Sequence, residues 1–226
     1  MNFPKFNIVI TCTGYARQLD VCLYYWSQMK YYNYKIYVIT YIKDIATINV
    51  CEQYQNVNFI PYDGDKFHHK GYIINYGLSL IEDKADYTIL SDADMIFSPS
   101  TLLRTANSII EQNDKVISSL REDIAERDLP LFFSNYKIKN VNWVWENISV
   151  EILSPSPFMG WFLVFPSSYI NKIDFITEHQ GYDVIDWKIF GQLASFGLQK
   201  EVIHIDNCPL HIYHGPKGSN WRGINY

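Results

Sequence analysis

The chain has 226 residues, with 19 Lys and Arg against 24 Asp and Glu and a formal net charge of −5. That acidic balance excludes a nucleic-acid backbone as main partner, because such a partner demands a basic footprint. At 48% hydrophobic and 19% charged the chain is neither disordered nor fibrous, and it is long enough to bury a core without disulfides or a structural metal.

Taken in order, residues 6–11 read as a buried strand, 15–29 as a helix, 35–40 as a strand and 46–54 as a helix. A strand over 57–61, a helix over 70–81 and a strand over 87–91 follow. Strands alternating with helices of about 10 to 15 residues imply β-α-β units and a mostly parallel sheet. The second half is less regular. Residues 115–120 read as a strand, 121–128 as a charged segment, and 129–156 as an aromatic and Asn-rich stretch without a period. A strand over 160–165, a helix over 185–196 and a last strand over 202–205 complete the chain. The expectation is one α/β domain over 1–226, with 1–98 as a nucleotide-type half and 99–226 as a half that covers and selects a second substrate.

Cys12, Cys22, Cys51 and Cys208 form no C-x-x-C pair and read as small hydrophobes of a reducing compartment. No apolar run approaches the roughly 18 residues of a membrane span. Lys5 alone carries charge ahead of the first strand, so no signal peptide is expected and the location is read as cytoplasmic.

In open parallel sheets ligands bind beyond the carboxyl ends of the strands, which marks the loops at 11–15, 40–41 and 92–94. Asp92-Ala93-Asp94 follows an apolar strand, where two carboxylates repel unless a cation sits between them. Its plainer explanation is a helix N-cap. Asp63-Gly64-Asp65 has the same spacing but lies in a Gly turn and reads as solvated. His211-Ile212-Tyr213-His214, between Pro209 and Gly215-Pro216, reads as irregular chain with two imidazoles at metal-ligand spacing. His211 alone has a second explanation, a hydrogen bond to a backbone carbonyl. Cys208 stands three residues ahead of His211, but with no second cysteine beside it the carboxylate-plus-imidazole set is read as suiting Mn2+ or Mg2+ rather than a closed zinc site. Asp183 and Asp186, beside Trp187, open the last helix. They are either dipole-stabilising acids or a general base facing a sugar.

Together these residues resemble the GT-A-fold, nucleotide-sugar-dependent glycosyltransferases, of the kind that includes the family-2 enzymes and the β-1,4-galactosyltransferases. The opening Ile8-Val9-Ile10-Thr11-Cys12-Thr13-Gly14-Tyr15 with Cys22-Leu23 is similar to the family's "IVIPTYNR…CL" start. His69-Lys70-Gly71 with Asn75-Tyr76-Gly77-Leu78 resembles "R-x-x-x-x-N-x-G", and Asp92-Ala93-Asp94 falls where the D-x-D follows the fourth strand. The run from Gly181 through Asp186-Trp187 to Gly197-Leu198 lies on "GYGGEDWDFFxRLxxxGL" without a gap.

The resemblance implies roles. Asp94, His211 and His214 would hold the metal, and Asp92 with Ala93 would face the ribose or a metal-bound water. Asp186 would be the catalytic base, the second acid of the family's Glu-Asp pair, with Asp183 as a substitute for the Glu. Thr11, Thr13, Tyr15, Arg17, Thr40, Lys70 and Asn75 would line the nucleotide-sugar site. Gly160, Trp161 and Trp187 would line the acceptor site. Three departures stand out: Thr11, Gly14 and Tyr15 replace the Pro and Asn-Arg of the first loop, Thr40-Tyr41 replaces an Asp-Asp pair, and Ile185 replaces the Glu before the base.

The function implied is an inverting, Mn2+- or Mg2+-dependent glycosyltransferase. It would move a hexose from a UDP-sugar to a hydroxyl of a glycan or glycoconjugate acceptor, within a parent chain that has room for a further domain. The alternative is a catalytically silent nucleotide-sugar or glycan-binding module. A sugar nucleotidyltransferase ranks last, because the loop at 11–15 offers one glycine where a phosphate cradle needs several.

Overall fold

The computed structural model describes residues 3–66, 69–111, 114–151, 161–175 and 182–212, and only the backbone of 182–184. Strands β1 (Phe6–Thr11), β2 (Tyr34–Tyr41), β3 (Val57–Tyr62) and β4 (Tyr87–Asp92) alternate with helices α1 (Ala16–Ser27), α2 (Ile45–Cys51) and α3 (Lys70–Leu80). These match the expected elements to within a few residues at each end. A two-residue strand β5 (Met95–Ile96) follows, then helix α4 (Thr101–Glu111), β6 (Lys115–Ser119) and β7 (Glu122–Ile124). Short helices α5 (Leu129–Asn135) and α6 (Trp143–Asn147) lead to β8 (Val150–Glu151) and β9 (Phe162–Pro166). Helix α7 (Tyr182–Ser195), β10 (Gln199–Ile203) and β11 (Leu210–His211) come last.

The main sheet has seven strands in the order β10-β6-β9-β4-β1-β2-β3. β1 runs parallel to both β2 and β4, whereas β9 runs antiparallel to β4. The expected mostly parallel α/β sheet is therefore present. It draws β6, β9 and β10 from the second half, so both halves share one sheet.

β1 shows why these residues make a central strand. Phe6, Ile8 and Ile10 face one core, with Leu19, Cys22, Leu23 and Trp26 of α1 and Leu102, Ala106 and Ile109 of α4. Val9 faces the other, with Ile73 and Ile74 of α3 and Ile185, Ile189 and Leu193 of α7. Alternation at period two, apolar on both faces, is what a sheet covered by helices on each side requires. Cys12, Cys22 and Cys51 are buried free thiols. Among the described residues, no helix is long and apolar enough to cross a membrane.

A second sheet has the order β5-β11-β7-β8, and it corrects two expectations. The charged segment 121–128 contains β7, and the irregular stretch around His211 contains β11, which pairs with β5 and β7 at once. Strands of two or three residues carry no readable period, so tertiary pairing alone decides them. Helix α4 matches no expected element. It is amphipathic, with Leu102, Ala106 and Ile109 buried alongside Thr101, Thr105 and Ser108, and the Thr105 hydroxyl donates to the Thr101 carbonyl at 2.9 Å.

Candidate active site

The parallel strands bring their carboxyl ends to one edge, with Thr11 in register with Asp92 on one side and Ile39 on the other. The first loop turns at Gly14, whose φ of +78° is the left-handed region where a Cβ is unfavourable. Gly14 N–H donates to Asp44 Oδ2 at 2.6 Å. Asp44 is also the N-cap of α2, accepting from Thr47 N–H at 3.2 Å and from the Thr47 hydroxyl at 2.6 Å. Sequence reasoning missed this brace, although an Asp three residues ahead of Thr at a helix start is a capping signal. Asp44→Ala is expected to cost about 1–2 kcal/mol, lowering the melting temperature by roughly 2–8 °C for a chain of this size. A calorimetric scan checks it; an unchanged melting temperature would mean the loop is held elsewhere.

Among the predicted nucleotide residues, Thr13 and Thr40 are sealed from solvent, and neither hydroxyl has a hydrogen-bond partner among the described residues. Tyr15 packs into the core beside α1, and Thr11 is half-buried. Arg17 is exposed and stacks its guanidinium 3.6 Å above the Phe133 ring, so it faces α5. Asn75 lies on the exposed face of α3. At 3.6 residues per turn that is about 140° round the helix from Lys70, and the two are not brought together.

Lys70 holds the centre. It opens α3, and Gly71 beside it lets the backbone approach residue 175: a Cβ on Gly71 would meet the Phe175 carbonyl oxygen at 1.9 Å. Lys70 is 8% exposed. Its Nζ donates to Asp92 Oδ1 at 2.8 Å and to Asp186 Oδ1 at 3.0 Å. One carboxylate ends β4 and the other lies in the second turn of α7, itself 6% exposed. Burial works against the ammonium, but Asp186 and then Asp92 outweigh it and hold the Lys70 pKa well above the ordinary lysine value. Lys70, expected beside the nucleotide, is also the clasp between two acids. Ile185, where a Glu was expected, is buried in the core that α7 shares with β1 and β9, so packing explains that departure.

A second group lies just past the strand end. Asp94 sits in the turn between β4 and β5, so it is not a helix N-cap. Its Oδ2 is 3.3 Å from His211 Nε2, and Asp123 Oδ1 of β7 is 3.0 Å from His211 Nδ1. The backbone seals the arrangement, with Ile212 N–H donating to the Asp94 carbonyl at 2.9 Å. Burial tends to lower the His211 pKa, but Asp94 and the bond to Asp123 prevail and push it up to about 9. The alternative of a carbonyl-bonded His211 gives way to one held between two carboxylates.

This donor set fits a hard-to-borderline divalent ion, because a carboxylate and an imidazole nitrogen face each other where a cation would displace the Nε2 proton. Among the described residues no group of three or more His, Cys, Asp or Glu side chains converges around one point to hold a metal. His214 lies outside the described residues, as does Gly160, and of Asp183 only the backbone is described. Trp187 is exposed, whereas Trp161 is buried, donates from Nε1 to the Ser119 carbonyl and lies under the Arg121 guanidinium at 4.5 Å.

Residues 4–118 match the model of the family described as glycosyltransferase like family 2. No curated protein sequence matches the chain. Among solved structures, S. aureus TarS 1-349 is similar at a TM-score of 0.66 and 15% identity, over 92% of this chain and 60% of that one. The same TarS fragment in complex with UDP-GlcNAc gives 0.66 and 15% over 98% and 62%. The mannosyltransferase PcManGT from Pyrobaculum calidifontis, in complex with GDP-Man and Mn2+, gives 0.63 and 15% over 97% and 59%. The chain thus spans about three fifths of the length of each.

Proposed function

The chain belongs to glycosyltransferase like family 2 and has the GT-A fold, and from that premise we propose that it transfers a hexose from a UDP-sugar to a glycan hydroxyl with inversion. One observation carries this reading: Asp92 and Asp94, at the end of β4, lie against Lys70 with Asp186 and against His211 respectively. Donor-side acids and an acceptor-side carboxylate on α7 thereby meet at one sheet edge.

Asp186 takes the proton of the acceptor hydroxyl as that oxygen attacks the anomeric carbon, the role a buried carboxylate on the acceptor side fits. A single in-line displacement of this kind inverts the anomeric centre. Lys70 holds Asp186 in place and adds positive charge beside Asp92. Asp94 and His211, with His214, are the residues that would hold Mn2+ or Mg2+. When bound, the ion supplies neutralising charge for the diphosphate leaving group. Trp187, exposed beside the base, offers a face for a sugar ring, and Thr11 and the first loop lie toward the nucleotide. The lengths of the similar structures leave room for a further domain in a parent chain. TarS in complex with UDP-GlcNAc and PcManGT in complex with GDP-Man and Mn2+ set the donor panel.

The test is UDP or GDP release from UDP-glucose, UDP-galactose, UDP-GlcNAc and GDP-mannose, with Mn2+ or with EDTA, in wild type and Asp94→Ala. The expected result is release from a UDP-sugar that EDTA abolishes and Asp94→Ala lowers by about 10²-fold or more. Release indifferent to both would remove the metal from the reading. A second reading, a binding module without turnover, draws on the closed Lys70–Asp186 pair and the burial of Ile185. Calorimetry showing UDP-sugar binding with no transfer across a broad acceptor panel would decide for it.

A further inference from the structure

We propose that Asp123 is a positioning residue for the metal site: its carboxylate locks the His211 ring so that Nε2 faces Asp94. This deepens the metal-dependent reading and rests on it.

The argument starts from the ladder. β11 lies between β5 and β7, placing His211 opposite Met95 in antiparallel register and opposite Asp123 in parallel register. The ring is thus flanked by the residue after Asp94 on one side and by Asp123 on the other. Each nitrogen has its own acid, Nε2 at 3.3 Å from Asp94 Oδ2 and Nδ1 at 3.0 Å from Asp123 Oδ1. A histidine that ligates a metal through one nitrogen needs a hydrogen-bond acceptor on the other. That acceptor fixes the tautomer and ring orientation and raises ligand basicity. Asp123 supplies it, and its side chain is only 7% exposed, so little water competes for the bond.

Asp123 is itself held. Arg121 Nε lies 3.6 Å from the same Asp123 oxygen, and the Arg121 guanidinium rests on the Trp161 ring at 4.5 Å. Trp161 is anchored in turn by its bond to the Ser119 carbonyl. The chain from Trp161 through Arg121 and Asp123 to His211 gives the buried tryptophan a task distinct from lining an acceptor pocket.

The experiment titrates Mn2+ into metal-free protein with saturating UDP, counting free Mn2+ by electron paramagnetic resonance, for wild type, Asp123→Ala, Asp123→Asn and His211→Ala. Asp123→Ala is expected to weaken Mn2+ binding by about 10- to 100-fold. Asp123→Asn, which keeps an oxygen to accept from Nδ1–H, is expected to recover most of that loss. A melting curve of each metal-free variant separates lost folding from lost positioning, and Asp123→Asn serves if the alanine variant does not fold. Wild-type affinity in Asp123→Ala, alongside a loss in His211→Ala, would overturn the inference and leave the metal site standing. Equal Mn2+ affinity in wild type and His211→Ala would overturn the metal reading and the inference with it.

Discussion

Asp186→Asn is expected to lower the transfer rate by about 10²–10⁴-fold, the range by which a positioned proton acceptor contributes, with UDP-sugar binding retained. At about 1.4 kcal/mol per decade this corresponds to roughly 3–5.5 kcal/mol of barrier. The substitution is nearly isosteric, and its amide oxygen still accepts from Lys70, so the clasp keeps its shape. What it loses is the lone pair basic enough to take a proton. The measurement is steady-state transfer with donor affinity determined separately by calorimetry. A full rate in a correctly folded Asp186→Asn protein would strip the residue of this role and return α7 to a packing function.

Lys70→Met is the second large effect, expressed first in stability. Removing the ammonium takes the cation they share from Asp186, 8% exposed at its side chain, and Asp92, 31% exposed. Breaking one side of a buried ion pair costs about 3–5 kcal/mol. Asp92 keeps some contact with water, so the low end, about 3 kcal/mol, applies. For a chain of this length that lowers the melting temperature by roughly 6–12 °C. The double variant Lys70→Met with Asp186→Asn removes one of the stranded charges and is expected to regain part of the loss. Equal melting temperatures for wild type and Lys70→Met would show that the two ion pairs contribute no net stability.

The first half of the chain was legible from its sequence because burial on both sheet faces writes itself as β-branched runs, and α1 carries an apolar stripe of Leu19, Cys22, Leu23 and Trp26. Asp92, Asp94 and Asp186 were found because carboxylates at a strand end and a helix start are local features. Lys70 was found as a basic residue but not in its pairing, since nothing local says that α3 and β4 close on α7. Asp123 and Asp44 were missed for different reasons. Asp123 gains meaning only when β11 pairs with β7, a contact across most of the second half. Asp44 carries a local capping signal toward Thr47, but its second bond, to the Gly14 N–H thirty residues away, has no local trace.

The two-residue strand β11 has a consequence for when the site can exist. It is the last element of the described chain, and it pairs with β5 and β7, so His211 reaches Asp94 only after a very long loop has closed. Contacts of such high sequence separation form late, once the entropy of closing the loop has been met by structure already in place. The seven-stranded sheet is therefore expected to stand before imidazole and carboxylate meet. On that order, a divalent ion held by Asp94 and His211 as proposed would be a passenger of the finished fold and not its nucleus, the reverse of small domains that fold around their metal.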